Sequence, residues 1–460
     1  MFRIDAGNTG KYCDGLSRRS FVQIGVAGLA TASLSRVLQA KEEAVAAGKA
    51  KKDTSVILLW LDGGPSHLDM YDMKPEAPVE VRGIWNPIKT NVPGFEITEL
   101  FPKQALCADK FSIVRSVHHD NGDHFTGGHW MLTGHGAGVN GLNNAGKFPF
   151  FGSIATKVLG PRQAGMPANV AVPYASSIGL RPGYFGGNYV GPQHNPFETE
   201  GDPNAENFQV QNLTLGGGMT VARLEDRRNL LANFDALRRD ADRQGRVETM
   251  DRFERQAYEL VTGAKAREAF DISKEKPEIR DRYGRHSWGQ STLLARRLVE
   301  AGTTFVTVHF GGWDHHWDLQ KGMDNYLPKI DDLVSALFTD LAERGLQDKV
   351  LVVLMGEFSR TPRMNDGGNG GAAGSMGEPG RDHWGNSMFV LMGGGGVQGG
   401  RLIGSTDRKG EAPQDQPLLP GDIHQTIFNV LGVDPNLYFP DHAGRPIQIV
   451  DHGEVIRNLF

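Results

Sequence analysis

Short, unbroken apolar runs recur along the chain: Ser55 to Leu61, Phe111 to Val117, Ala168 to Val172, Phe305 to Phe310, Val350 to Met355 and Met388 to Met392. A strand with one wet face alternates apolar and polar residues, whereas a strand covered on both faces is apolar throughout. These runs therefore predict buried strands of a mostly parallel sheet. Helical periodicity fills the intervals between them. Leu327, Ile330, Leu333, Val334, Leu337 and Leu341 recur at three- and four-residue spacing ahead of the Val350 run, and His286 to Ala301 reads as a helix feeding the Phe305 run. This alternation implies a doubly wound α/β sandwich, in which ligands bind just beyond the carboxyl ends of the strands.

Two regions break the pattern. Residues 160–276 are rich in Gly, Pro and Asn at first, then charged and helical from Val221 to Thr262. They read as an inserted cap bordering the substrate site. Near the start, Arg18-Arg19 precede an apolar run from Ile24 to Leu34. Paired arginines before such a stretch resemble a twin-arginine export signal, and the run is too short to span a bilayer comfortably. Ala44-Val45-Ala46 offers a cleavage site, with Ala40 as the alternative. The expectation is a signal peptide, 1–46, and a mature domain, 54–460, exported folded to the periplasm or beyond. No other segment is long and apolar enough to cross a membrane.

Composition removes several functions. A formal net charge of -5 provides no basic field, so nucleic acid is not an expected partner. Of the two cysteines, Cys13 lies in the expected signal, which leaves Cys107 alone in the mature chain. One thiol makes neither an internal disulfide nor a multi-thiolate zinc site. The 15 histidines crowd between His118 and His135 and again between His309 and His316.

Polar residues stand immediately after the apolar runs. Asp62-Gly63-Gly64-Pro65-Ser66-His67 follows the first. His118, His119, Asp123, His124 and His129 follow the second. Gly312-Trp313-Asp314-His315-His316 follows the Phe305 run, Gly356-Glu357-Phe358-Ser359-Arg360 follows the Val350 run, and Arg381-Asp382-His383 precedes the Met388 run. So many carboxylates and imidazoles at one sheet edge would be unfavourable without a neutralising cation. Oxygen and nitrogen donors without sulfur suit Zn²⁺, Mn²⁺ or Fe, or Ca²⁺ and Mg²⁺ where carboxylates dominate. Such an ion polarises phosphoryl or sulfuryl oxygens.

The order of these motifs, with His124-Phe125-Thr126-Gly127-Gly128-His129-Trp130-Met131-Leu132-Thr133-Gly134 among them, resembles the bacterial family called domain of unknown function 1501, within the alkaline phosphatase and sulfatase superfamily, from about Thr54 onward. The resemblance implies an alkaline-phosphatase-like three-layer α/β/α sandwich. It implies metal ligands at Asp62, at Asp314 with His315 or His316, and at His383. Glu357-Phe358 stands where the superfamily has a metal-binding Asp-His pair, so only a carboxylate remains there. The nucleophile position falls on His124, with Thr126 as the nearest hydroxyl, and direct attack by water is the alternative. No Cys-x-Pro-Ser-Arg occurs, so the formylglycine of ordinary sulfatases is absent. Arg360 reads as a bidentate clamp on an anionic ester or as a structural ion-pair partner. His67 and Asp69 read as orienters of ligands or as helix-start residues. The expected function is metal-dependent hydrolysis of a phosphate or sulfate ester, on a small molecule or a polysaccharide. Its rivals are a degenerate, carbohydrate- or partner-binding pseudoenzyme and a phosphomutase-like or phosphonate-processing enzyme.

Overall fold

The computed structural model describes residues 53–136, 147–210, 263–367 and 377–460. The expected export signal and the charged stretch from Val221 to Thr262 lie outside the described residues. Among the described residues eight strands form the central sheet: β1 (Ser55–Leu61), β2 (Ser112–Val117), β3 (Asn169–Val172), β4 (Phe197–Glu198), β5 (Phe305–Phe310), β6 (Val350–Met355), β7 (Met388–Gly393) and β8 (Leu402–Ile403). Across the sheet they run β8-β2-β7-β6-β1-β5-β3-β4. Central β1 sits between β5 and β6, with Leu59 facing Val308 on one side and Leu354 on the other. All pairings are parallel except those of β7, which runs against both β6 and β2.

The all-apolar strands follow from helices on both faces. In β1, Ile57, Leu59 and Leu61 pack toward α3 (Ser287–Ala301) and α4 (Leu319–Glu343), through Leu294, Leu298, Ile330 and Leu333. Val56, Leu58 and Trp60, one residue out of phase, pack toward α1 (His124–Thr133), α2 (Phe151–Leu159) and α5 (Pro420–Leu431), through Leu132, Ile154, Ile423 and Ile427. The result is a three-layer α/β/α sandwich. Among the described residues no helix is long and apolar enough to cross a membrane.

The expected insertion at 160–276 needs correction in its described part. Asn169–Val172 and Phe197–Glu198 are strands of the main sheet, since β3 pairs directly with β5. The apolar run Val170-Ala171-Val172 gains more from the sheet core than a covering loop would offer. The turn that follows β3 does reach the carboxyl edge of β1.

One topological detail positions the site. Asp62, Asp314 and Glu357 come after β1, β5 and β6, at the carboxyl edge of parallel strands. His383 comes before β7. Because β7 is antiparallel, its beginning lies at that same edge. A histidine preceding a strand thereby joins carboxylates that follow theirs.

Candidate metal centre

Asp314 is the hub. Its Oδ1 accepts Arg360 Nη2 at 2.6 Å and lies 3.1 Å from His383 Nε2 and 3.1 Å from His316 Nε2. Its Oδ2 lies 3.4 Å from His124 Nε2. The two Nε2 atoms of His316 and His383 face each other at 2.9 Å. Donor atoms of His124, Asp314 and His383 fall within 4.8 Å of one another. The far nitrogens of both rings are anchored: His316 Nδ1 against Asp382 Oδ1 at 2.7 Å, His383 Nδ1 against the Gly122 carbonyl at 2.6 Å. Fixing Nδ1 turns Nε2 inward, which is how metal-binding histidines are oriented.

A second carboxylate pair adjoins this hub. Glu357 is fully buried. It accepts Gly63 N at 2.9 Å and pairs with His124 Nδ1 at 2.7 Å. Asp62 accepts Ile178 N at 2.7 Å on Oδ2, which is also 3.1 Å from His309 Nε2. Among the described residues its buried Oδ1 has no hydrogen-bond partner. An unpaired, buried carboxylate oxygen is expensive unless a cation meets it. The converging donors of His124, Asp314 and His383 fit a divalent ion, and Asp62 Oδ1 is a further oxygen at the same sheet edge.

The electrostatics agree. Burial raises the Asp314 carboxyl, but hydrogen bonds from His124, His316 and His383 and the nearby Arg360 guanidinium outweigh it and hold it far below the carboxylate range. Burial pushes Glu357 up, as does neighbouring Asp62, against the pull of His124. At His124 burial favours the neutral ring, yet Asp314 and Glu357 overcome it and raise the group to about 9.

A pH dependence follows. With the folded value above the ordinary 6.5, protonated His124 stabilises the metal-free fold fully below pH 6.5, and that contribution disappears as pH climbs toward about 9. A cation must displace this proton. Zinc affinity is therefore expected to rise roughly tenfold per unit of pH until about pH 9. Competition with a chromophoric chelator between pH 6.5 and 9 measures it. An equal slope in His124→Gln would remove His124 from the centre.

The structure gathers His124, Asp314, His316 and His383, with Glu357 bonded to His124 and Asp62 at the same sheet edge, and gives three expected site residues other roles. His315 turns away: its ring packs against Tyr326 of α4 (centroids 5.4 Å apart), and a Cβ on Gly322 would strike its Nε2. His315 N donates to Trp313 O and His316 N to Asp314 O, a tight turn that points successive rings in opposite directions. Burial holds His315 down at about 4, hence neutral. Arg360 is not a substrate clamp. It is wholly buried, donating to the Gly63 and Gly64 carbonyls as well as to Asp314. Thr126 is not a presented nucleophile either. Asp123 caps α1, and its Oδ1 accepts both Thr126 N and Thr126 Oγ1 at 2.9 Å.

Other polar residues act as supports. His119 Nε2 lies 2.7 Å from the Glu357 carbonyl, and its ring stacks on Trp130. His67 is hydrogen-bonded to Ser359 Oγ at 2.6 Å, and Asp69 pairs with Arg381. Both therefore brace the segments carrying Arg360 and His383. His129 pairs with the His135 carbonyl. The sequence assigns no role to His309, Asp382 or the Ile178 amide. His309 carries one signal, a lone imidazole next to last in a wholly buried strand.

No protein of curated function matches the sequence. Among solved structures, the chain is similar to the PsFucS1 sulfatase from Pseudoalteromonas sp., at 12% identity and TM-score 0.36, covering 87% of this chain and 71% of that one. It is similar to a phosphonate monoester hydrolase from Silicibacter pomeroyi, at 12% identity and TM-score 0.38, covering 88% and 76%. A protein of the alkaline phosphatase superfamily from Vibrio parahaemolyticus matches at 10% identity and TM-score 0.38, covering 84% and 68%. Residues 53–460 match the family described as Protein of unknown function (DUF1501), and the chain belongs to that family.

Proposed function

We propose that this protein is an exported, divalent-metal-dependent hydrolase of phosphate or sulfate esters, of the alkaline phosphatase and sulfatase type, acting on small molecules or polysaccharides. The observation that carries this reading is the convergence of His124, Asp314 and His383 donor atoms at the carboxyl edge of the sheet. Asp314, His316, His383 and His124 would hold one ion, and Asp62 with Glu357 offers carboxylate oxygens for another. When bound, such an ion polarises the phosphoryl or sulfuryl oxygen and offsets charge that builds in the transition state. The chain's own groups do the rest. Arg360 fixes Asp314 against the Gly63-Gly64 turn. Asp382 and the Gly122 carbonyl hold the two imidazoles. The N-terminal turn of α1 opens at His124 and supplies a positive dipole end suited to an anionic ester. With the Thr126 hydroxyl hydrogen-bonded to Asp123, water is the attacking group in this reading. The paired arginines Arg18-Arg19 ahead of an apolar run support export.

One observation favours a catalytically degenerate binding module instead. Phe358 fills the position of the pair's histidine, its ring centroid 4.9 Å from His124 and 4.6 Å from His383. Turnover separates the two. Protein recovered from the periplasmic fraction and loaded in turn with zinc, manganese, calcium or magnesium should hydrolyse para-nitrophenyl phosphate or sulfate, and chelator should abolish it. Complete inactivity across a broad ester panel with metal bound would favour the binding module.

A further inference from the structure

Eight large apolar side chains are exposed among the described residues, and Tyr174, Ile178 and Leu180 of that set share one loop. Scattered exposed apolar residues are ordinary, but a cluster beside a polar centre is not. The loop is firmly built. Ser177 and Leu180 exchange backbone hydrogen bonds of 2.8 and 2.9 Å around a two-residue turn, Ile178-Gly179, with φ of 46° and 72°. Turns of this kind ordinarily carry Asn-Gly or Gly-Gly, because a β-branched residue at positive φ is strained. Here the strained position holds isoleucine, half-exposed at 37%, and the Gly179 tip meets nothing within 4 Å. More than a third of Ile178 thus stays open to solvent. Its amide, though, donates to Asp62 Oδ2 at 2.7 Å. Tyr174 lies against His309, the partner of the same oxygen, with ring centroids 5.3 Å apart. Arg181, ion-paired with Glu198, stands over the Tyr174 ring.

We infer that the loop from Tyr174 to Arg181 is the subsite for the alcohol portion of the ester, and that it selects alcohols presenting a flat hydrocarbon face, an aryl or pyranose ring. This rests on the ester reading above. The chemistry is complementary: the anionic end of such a molecule goes to the metal centre, and its ring lies on Ile178, Leu180 and Tyr174. Strain at Ile178 is tolerated because it puts an apolar side chain and an Asp62-binding amide on one residue.

Binding measures this without turnover. Phenylphosphonate, methylphosphonate and a glucosyl methylphosphonate, whose carbon–phosphorus bond replaces the scissile ester, are titrated calorimetrically into the zinc-loaded full chain, the Ile178→Gly variant and the Leu180→Ser variant. The wild type should bind a ring-bearing probe at least about tenfold more tightly than methylphosphonate, and each variant should lose most of that preference. The better of the two ring probes tells aryl from pyranose. Glycine is at ease at positive φ, so Ile178→Gly should melt no lower than the wild type, which separates lost contact from lost folding. Equal binding of all probes by the wild type would overturn the subsite while leaving the ester reading intact, as would a preference that survives both variants. Failure of every probe to bind would overturn the ester reading and the subsite together.

Discussion

Replacing Asp314 by alanine should empty the metal centre and destabilise the metal-free fold by about 2–3 kcal/mol. The carboxylate meets Arg360, His383, His316 and His124 at once. Removing it leaves a fully buried guanidinium whose partners among the described residues are carbonyls. Breaking a buried pair by deleting one member costs about 3–5 kcal/mol, and the lower figure applies because the Asp314 side chain is 34% exposed, so water reaches its place. The metal loss is a separate effect, since His124 and His383 then lose the one carboxylate whose oxygens converge with their ring nitrogens. Elemental analysis and urea unfolding of chelator-treated protein report the two independently. Full metal content in Asp314→Ala would refute the centre. Wild-type stability would refute the role given to Arg360.

The largest purely structural effect is expected at Asp69. Asp69 Oδ2 and Arg381 Nε form an ion pair at 3.0 Å with both side chains wholly buried. The carboxylate also accepts Ser66 Oγ at 2.5 Å and Ile84 N at 2.9 Å. Arg381 ties down four backbone carbonyls, of Val81, Arg82, Thr361 and Pro362. Asp69→Ala should therefore cost about 3–5 kcal/mol by denaturant unfolding. Metal affinity should weaken as well, because Arg381 leads straight into Asp382 and His383. A loss below about 1 kcal/mol would mean that water relieves the stranded guanidinium. An Asp69→Leu, Arg381→Met pair should recover only part of the stability, because the four carbonyls lose their donor, and none of the metal affinity.

Much of this arrangement was legible along the chain. Of the six apolar runs, those at Ser55, Phe305 and Val350 coincide with β1, β5 and β6 end to end, and the others differ by a residue at one end. A parallel sheet buried on both faces imposes that pattern on any sequence that forms it. Strand ends then located Asp62, Asp314 and Glu357, since the carboxyl edge is where a doubly wound sheet binds ligands. Where reasoning by strand ends stopped, so did legibility. The charged residues after each strand lie in irregular turns, in which no periodicity dictates where a side chain points.

The sequence by itself therefore determined the α/β layering, the edge at which chemistry gathers and the donor types available, because burial and periodicity are written locally. Tertiary structure decided which donors meet. His316 faces the centre and His315 faces α4 because of one tight turn. Arg360 is locked under Gly63 and Gly64, nearly three hundred residues away in the chain. His383 arrives because β7 runs backwards. His124 bridges Asp314 and Glu357 from a helix that belongs to neither strand. Each depends on a surface supplied by distant segments, and such surfaces exist only once the chain has folded.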